Sequence, residues 1–170
     1  MLRARFSITS TLANLSRLAN LCAISLAAVL LCAMTLFVTI QVIARYGFSS
    51  PPQWTEEAAR YCMVWLGLLG ASVSFHKGLD PVVISLDGFP EHKRAIARLS
   101  NAIAAILFSG VILYASIGFL ARHSLRASDA LGINMAIVVS VVPLFALLIL
   151  LHALAIALIA IGSLRPQKDL

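Results

Sequence analysis

The chain has 170 residues, of which 61% are hydrophobic and 12% are charged, and its mean hydropathy is +0.96. Soluble domains are about 25% charged and disordered segments are poor in apolar residues, so this composition excludes both classes and indicates a membrane protein. The formal net charge of +6 does not indicate nucleic-acid binding, because the basic residues lie between hydrophobic runs, where they set orientation in the bilayer.

Four apolar runs are long enough to cross a bilayer, which takes about 20 helical residues. The first contains the uncharged stretch Leu18–Ala44, whose 27 residues far exceed the roughly 7–15 residues of a signal-peptide core. We therefore expect it to remain as a transmembrane helix. In the last run, Pro143 should kink the helix. The sequence predicts an all-α, polytopic membrane protein with a single four-helix transmembrane domain over residues 1–170 and spans at 18–44, 52–76, 92–121 and 133–163.

The second span must begin before its uncharged core. That core, Tyr61–Phe75, has 15 residues and reaches roughly 22 Å at helical rise, which is short of the ~30 Å hydrocarbon layer. The preceding Ser-Pro-Pro-Gln sequence supplies a helix start. We predict Ser50 as the N-cap, Pro51 at the first helical position and Gln53 reaching back as in a capping box.

A helix with this start carries charges to the membrane boundary, where we expect them to be paired because unpaired charge in a bilayer is costly. Glu56 and Arg60 are i,i+4 neighbours in the favourable order, and Arg45, at the end of the first span, is a candidate partner for Glu57. We predict a structural charge cluster of these four residues at the outer end of the first two helices. The alternative is that they are solvated at the interface.

Aromatic and small residues mark the faces of the second span. Trp54 and Trp65 lie about three helical turns apart and share a face, as interfacial aromatic residues do. Gly67 and Gly70 each lie four residues before another small residue, a spacing that permits close helix approach. We predict that this stripe packs against another helix.

The segment between the second and third spans contains the short apolar run Pro81–Leu86, which is predicted to lie along the membrane interface as a short helix. Pro90 is placed at the first turn of the third helix. With four spans, nine Lys and Arg residues fall on the side of the two termini and this loop, and four fall on the other side. This bias predicts that both termini are cytoplasmic.

The sequence contains few residues that could form a haem, proton-coupling or metal site. Haem ligation needs two histidines at one depth on facing helices, and His152 alone lies deep in a span. Proton coupling needs a carboxylate in the middle of a helix, and the sequence has none there. Asp80 and Asp87 form no recognisable metal motif. We predict no catalytic residue, cofactor or metal site, and we interpret the chain as part of a larger assembly.

Three segments carry a resemblance to a known family: Arg45-Tyr46, the Trp-Thr-Glu-Glu-Ala-Ala-Arg sequence of residues 54–60, and the Trp-Leu-Gly-Leu-Leu-Gly-Ala-Ser sequence of residues 65–72. Together with the length and the four spans, they are similar to the DctQ-like small membrane subunit of tripartite ATP-independent periplasmic (TRAP) transporters. One departure is that His76 precedes Gly78, whereas the family often has a glycine before the histidine.

The resemblance implies a non-enzymatic supporting subunit in the bacterial inner membrane. Its implied partners are a large membrane subunit that holds the sodium and substrate sites, a periplasmic binding protein that delivers an organic acid, and membrane lipids. The candidate structural or subunit-contact residues are Arg45, Trp54, Glu56, Glu57, Arg60, Trp65, Gly67 and Gly70. Two alternatives stay open, namely a self-sufficient proton-coupled transporter acting as a homodimer, and a membrane enzyme or haem protein.

Overall fold

The computed structural model describes residues 2–48, 50, 52–79, 88 and 90–164, and the side chains of residues 2–9 are not described. The described residues form five α-helices and contain no β-strand longer than an isolated bridge. Their bounds are α1 Leu2–Phe48, α2 Gln53–Lys77, α3 Glu91–His123, α4 Met135–Val139 and α5 Val141–Ser163.

In the described part of the chain, four helical segments are long and apolar enough to cross a membrane: Ser10–Phe48, Gln53–Lys77, Glu91–His123 and Met135–Ser163. Each lies over one of the predicted spans, and the all-α, four-span fold is confirmed. The last segment consists of α4 and α5, which are separated at Ser140. This interruption lies three residues before Pro143, whose ring excludes a helical hydrogen bond to the carbonyl of Val139. The predicted interfacial helix, Pro81–Leu86, lies outside the described residues.

Helix α2 starts later than predicted. Its N-cap is Pro52, without a side-chain cap, and Gln53 is its first helical residue, so the predicted capping by Ser50 is wrong. A residue that precedes proline is disfavoured in the α region, and Pro51 precedes Pro52, so Pro51 is a poor first residue for the helix. The Thr55 hydroxyl closes this first turn by donating to the Pro52 carbonyl at 2.7 Å.

Helix α5 is the centre of the bundle. Helices α1 and α2 pack as one pair and α3 packs along α5, which also contacts α1 and α2. In the most apolar stretch of the α4–α5 segment 39% of the residues are buried, against 6% in that of α1. Small residues make the close contact between α3 and α5 possible. They recur every seven residues on α3, as Ala95, Ala102, Ser109 and Ser116.

Hydrogen bonds cap the end of α2 and the start of α4, where these helices meet the connecting segments. Gly78 ends α2 in the left-handed conformation with φ 63°, and its N–H donates to the Phe75 carbonyl. At the other end of the bundle, Asn134 caps α4 by accepting from the Ala136 N–H at 2.8 Å. The Asn134 side chain also donates to the Ser124 carbonyl at 2.9 Å, which closes the loop between α3 and α4.

Candidate functional sites at the two ends of the bundle

The Glu57 carboxylate fastens α2 to the loop between α3 and α4. One oxygen, Oε1, accepts a hydrogen bond from the Tyr61 hydroxyl. The other, Oε2, accepts from the backbone N–H groups of Ala130 and Leu131, both at 2.9 Å. Hydrogen bonds to an ionised acceptor are stronger than those between neutral groups. The carboxylate therefore satisfies two loop donors and fixes the loop over the start of α2.

Tyr61 and Trp65 continue the same face of α2, one and two turns after Glu57. The Tyr61 hydroxyl lies 3.4 Å from the Met135 Sδ, and the Trp65 indole N–H donates to the Val138 carbonyl at 2.8 Å. Side chains four residues apart stack on one helix face. This face, defined by Glu57, Tyr61 and Trp65, joins α2 to the loop and to α4, and we call it the α2 anchor face.

The predicted Glu56–Arg60 pair is present. The Arg60 Nη2 lies 2.9 Å from the Glu56 Oε1, and the two side chains are 60–61% exposed. Exposed i,i+4 pairs contribute only about 0.3–0.5 kcal/mol. It is the one ion pair found among the described residues. The pair therefore shapes the charge of the surface more than it stabilises the fold.

The predicted partnership of Arg45 with Glu57 is wrong. Arg45 lies in the last turn of α1, is exposed, and forms no ion pair with any described residue. The physical reason is that Tyr61 and the loop N–H groups already occupy both oxygens of Glu57. The four predicted charges therefore do not form one cluster, because Glu57 turns to the loop while the Glu56–Arg60 pair faces outward.

The remaining predicted residues lie on the surface of α2. Trp54 is 42% exposed, and its ring meets that of Phe37 edge-on with centroids 5.9 Å apart, so it joins α1 to α2. Gly67 and Gly70 are both exposed, and a Cβ atom at either position would meet no described atom within 4 Å. Within the described chain, the small-residue stripe is not packed against another helix.

A second polar site, which the sequence reasoning missed, joins three helices near the opposite end of α2. The Ser16 hydroxyl lies 2.7 Å from the His152 Nδ1 and 3.1 Å from the His76 Nδ1, and the two imidazole ring centroids are 4.6 Å apart. We call Ser16, His76 and His152 the buried polar triad. A hydroxyl carries one proton, so it donates to one ring and accepts from the other.

Burial gives this triad a packing role. Ser16 is 2% exposed and His152 is 0% exposed, so a substrate has no access to the hydroxyl. The Nε2 atom of His152 has no hydrogen-bond partner among the described atoms. The part of the chain that the structure describes also contains no group of three His, Cys, Asp or Glu residues able to hold a metal ion. The triad therefore fixes the positions of α1, α2 and α5.

The sequence contains a signal for the α2 anchor face and a weaker signal for the buried polar triad. Glu57, Tyr61 and Trp65 follow the i, i+4, i+8 spacing of one helix face, although this spacing does not reveal that a loop lies opposite. His152 is visible as a polar residue deep in an apolar run. Ser16 lies before the predicted start of the first span, so nothing in the sequence connects it with two distant histidines.

Comparison with known proteins agrees with this architecture. Residues 34–161 match the family model described as tripartite ATP-independent periplasmic transporters, DctQ component. The chain is also 30% identical over 88 residues to a Haemophilus influenzae protein whose name places it among TRAP transporter small permease proteins. That alignment covers 51% of this chain and 55% of the relative, so the chain spans about half the length of the relative it matches. The matched model covers most of the chain, including all of α2 and α3, and the protein therefore belongs to the DctQ component family of tripartite ATP-independent periplasmic transporters.

Proposed function

We propose that this chain is the small membrane subunit that supports a large TRAP membrane subunit during sodium-coupled import of an organic acid. In this proposal a periplasmic binding protein delivers the acid, and the large subunit holds the sodium and substrate sites. The chain lies in the bacterial inner membrane with both termini in the cytoplasm, as the distribution of Lys and Arg indicates. It takes part in transport without catalysing a reaction.

The observation that carries this proposal is the position of the carboxylates. In the described helices, acidic residues occur only in the first two turns of α2, as Glu56 and Glu57, and at the first residue of α3, as Glu91. Glu57 is already engaged with the loop. Ion-coupled transport needs an ionisable or oxygen-rich site within the membrane, and such a site must then come from a partner.

The exposed surfaces of α1 and α2 are proposed to contact the large subunit. Helix α1 is little covered by the rest of the chain, and Arg45 is a free cation at its end as far as the described residues go. Gly67 and Gly70 leave open space on α2, where small residues allow a partner helix to approach closely. No described helix packs on this stripe, and the helix that covers it is proposed to come from the large subunit.

Reconstitution in liposomes tests the proposal. The large subunit and its binding protein would be reconstituted with and without this chain, and uptake of the organic acid would be measured under an imposed sodium gradient. We expect uptake to depend on this chain. Undiminished uptake by the large subunit without it would refute the proposal, and so would uptake by this chain reconstituted alone under a proton gradient.

Two variants separate a supporting role from transport by the chain itself. If the role is supporting, replacing Glu56 and Glu57 together by glutamine reduces the yield of the complex with the large subunit. If the chain transports alone, the same variant loses proton coupling even in the fraction that assembles. Arg45→Ala tests the contact at the end of α1, where an unchanged complex yield would show that Arg45 is only solvated.

A further inference from the structure

A basic cavity of about 670 Å³ opens at the end of the bundle where α2 ends and α3 begins. Its walls come from the last turn of α2, the first three turns of α3 and the end of α5. Lys77, Arg94 and Arg98 bring three positive charges to it, and Glu91 brings one negative charge. Among the described lining residues the positive charges therefore exceed the negative ones by two, which favours an anion.

Arg94 supplies an independent sign of a missing acceptor. Its Nε atom is buried and has no hydrogen-bond partner among the described atoms. Within the described residues, neither Arg94 nor Arg98 forms an ion pair. A buried donor without an acceptor is unfavourable, and the planar guanidinium group matches the oxygens of a phosphate in a two-point contact. Arg94 therefore lacks an acceptor of the kind that a phosphate group supplies.

An apolar groove of about 380 Å³ continues from this cavity along the bundle. Phe75 and Asn101 line both spaces, so the groove begins where the cavity ends. The groove runs between α2 and α3, with Phe145 and Ile149 of α5 at its floor. Along α3 the groove is lined by Ala104 and Ala105 after Asn101, and it ends at Phe108. The order along α3 is therefore arginine, then amide, then an apolar surface.

We propose that the cavity and the groove together bind one anionic phospholipid. The phosphate lies between Arg94 and Arg98 with Lys77 nearby, and an acyl chain lies in the groove against α5. Arg94 and Phe108 are separated by fourteen residues, or about 21 Å along the helix, so the site extends from the membrane boundary into the hydrocarbon layer. Basic pockets between transmembrane helices are suited to such headgroups. A protein helix would match the apolar groove but would leave the arginines without an anion.

Native mass spectrometry of the full-length chain in a neutral detergent tests the proposal. Phosphatidylglycerol and zwitterionic phosphatidylcholine would be titrated separately, and the number of bound lipids would be counted. We expect one phosphatidylglycerol to bind more tightly than the rest, with a clear preference over phosphatidylcholine. Equal binding of the two lipids would overturn the proposal.

Charge variants locate the headgroup. Replacing Arg94 and Arg98 by glutamine should weaken the affinity for the first phosphatidylglycerol roughly 30-fold. Each cation near the membrane surface contributes about fivefold to binding of an anionic lipid, and the two factors multiply. The matched control replaces Arg122, in the last turn of α3, and Arg126, in the loop that follows; both are exposed, and the change should leave that affinity unchanged. An equal loss in both variants would refute the site. If the glutamine variant does not fold, replacement of Arg94 and Arg98 by lysine keeps the charge and should give a smaller loss.

A groove variant distinguishes a lipid from a free phosphate. Ala104→Phe fills the groove and should weaken phosphatidylglycerol, whereas Ala115→Phe, on an exposed part of the same helix, should not. Neither change should alter binding of glycerol phosphate, which has no acyl chain. If Ala104→Phe has no effect on the lipid, or if inorganic phosphate displaces the lipid at equal concentration, the cavity takes a free phosphate and the lipid proposal fails.

Discussion

Ser16→Ala removes the one hydroxyl that joins the buried polar triad, and it should destabilise the packing of α1 against α2 and α5. The hydroxyl makes hydrogen bonds to both His152 and His76. Without it, the Nδ1 atom of His152 has no other described partner, and this side chain is fully buried. The His76 side chain is only half-buried, so water can replace its lost contact. The cost of the substitution therefore falls mainly on His152.

The magnitude follows from these two contacts. Hydrogen bonds between transmembrane helices contribute ~0.6 kcal/mol on average and at most ~1.7 kcal/mol, whereas a buried polar group left without a partner costs about 1–3 kcal/mol. For Ser16→Ala we expect a loss of about 2 kcal/mol in the free energy of unfolding, or roughly a 30-fold change in the folding equilibrium. Replacing both Ser16 and His152 by apolar residues should cost less than the sum of the single changes, because no polar atom is then left unpaired.

Unfolding by sodium dodecyl sulfate in mixed micelles, followed by far-ultraviolet circular dichroism, measures this loss. Ser109→Ala is the matched control, because Ser109 is also buried but donates only to the Ile106 carbonyl in its own helix, at 3.1 Å. The control should change the free energy of unfolding by much less. If the Ser16 and Ser109 variants lose the same amount, the reasoning that assigns the triad a role between helices is refuted.

Three further substitutions test the α2 surface, each in the full-length chain. Trp65→Phe keeps the aromatic ring but loses the hydrogen bond to α4, so it should lower the free energy of unfolding by about 1 kcal/mol, while Trp54→Phe should lower it less; equal losses would contradict this. Glu57→Gln should lower the melting temperature more than Glu56→Gln, because only Glu57 holds the loop, and the reverse order would count against the anchor. Gly70→Leu should leave the melting temperature of the isolated chain unchanged or raise it, since the space is open and leucine favours a helix. The same change should reduce recovery of the complex with the large subunit. A lower melting temperature would show that the stripe is packed within the chain.

The four spans could be predicted because the length of an apolar run is a local property of the sequence. A bilayer requires about 20 apolar helical residues whatever the tertiary packing, and each run that meets this length is a helix here. Helix ends depend on more than one residue. Ser50 has the composition of an N-cap, but the second of two prolines decided where α2 begins, because proline also restricts the residue before it.

The partners of the charged residues could not be predicted in the same way. The i,i+4 contact of Glu56 with Arg60 is set by helix geometry alone, and it is present. The partner of Glu57 is set by the fold of a loop more than seventy residues away, which no local spacing encodes. Arg45 is the expected partner only when charged side chains alone are considered. The backbone N–H groups of a turn are equally good donors to a carboxylate.

The internal contacts of α2 determine which of its residues remain for a partner. Helix α2 is joined to the loop by Glu57, to α4 by Trp65 and to α5 through His76 and Ser16. These side chains lie on the face that the chain itself uses, so substitutions there act through the fold. The opposite face carries Gly67 and Gly70 with open space above them. If α2 contacts the large subunit, we therefore expect it to use this opposite face, and a substitution there should reduce assembly while the stability of the isolated chain is retained.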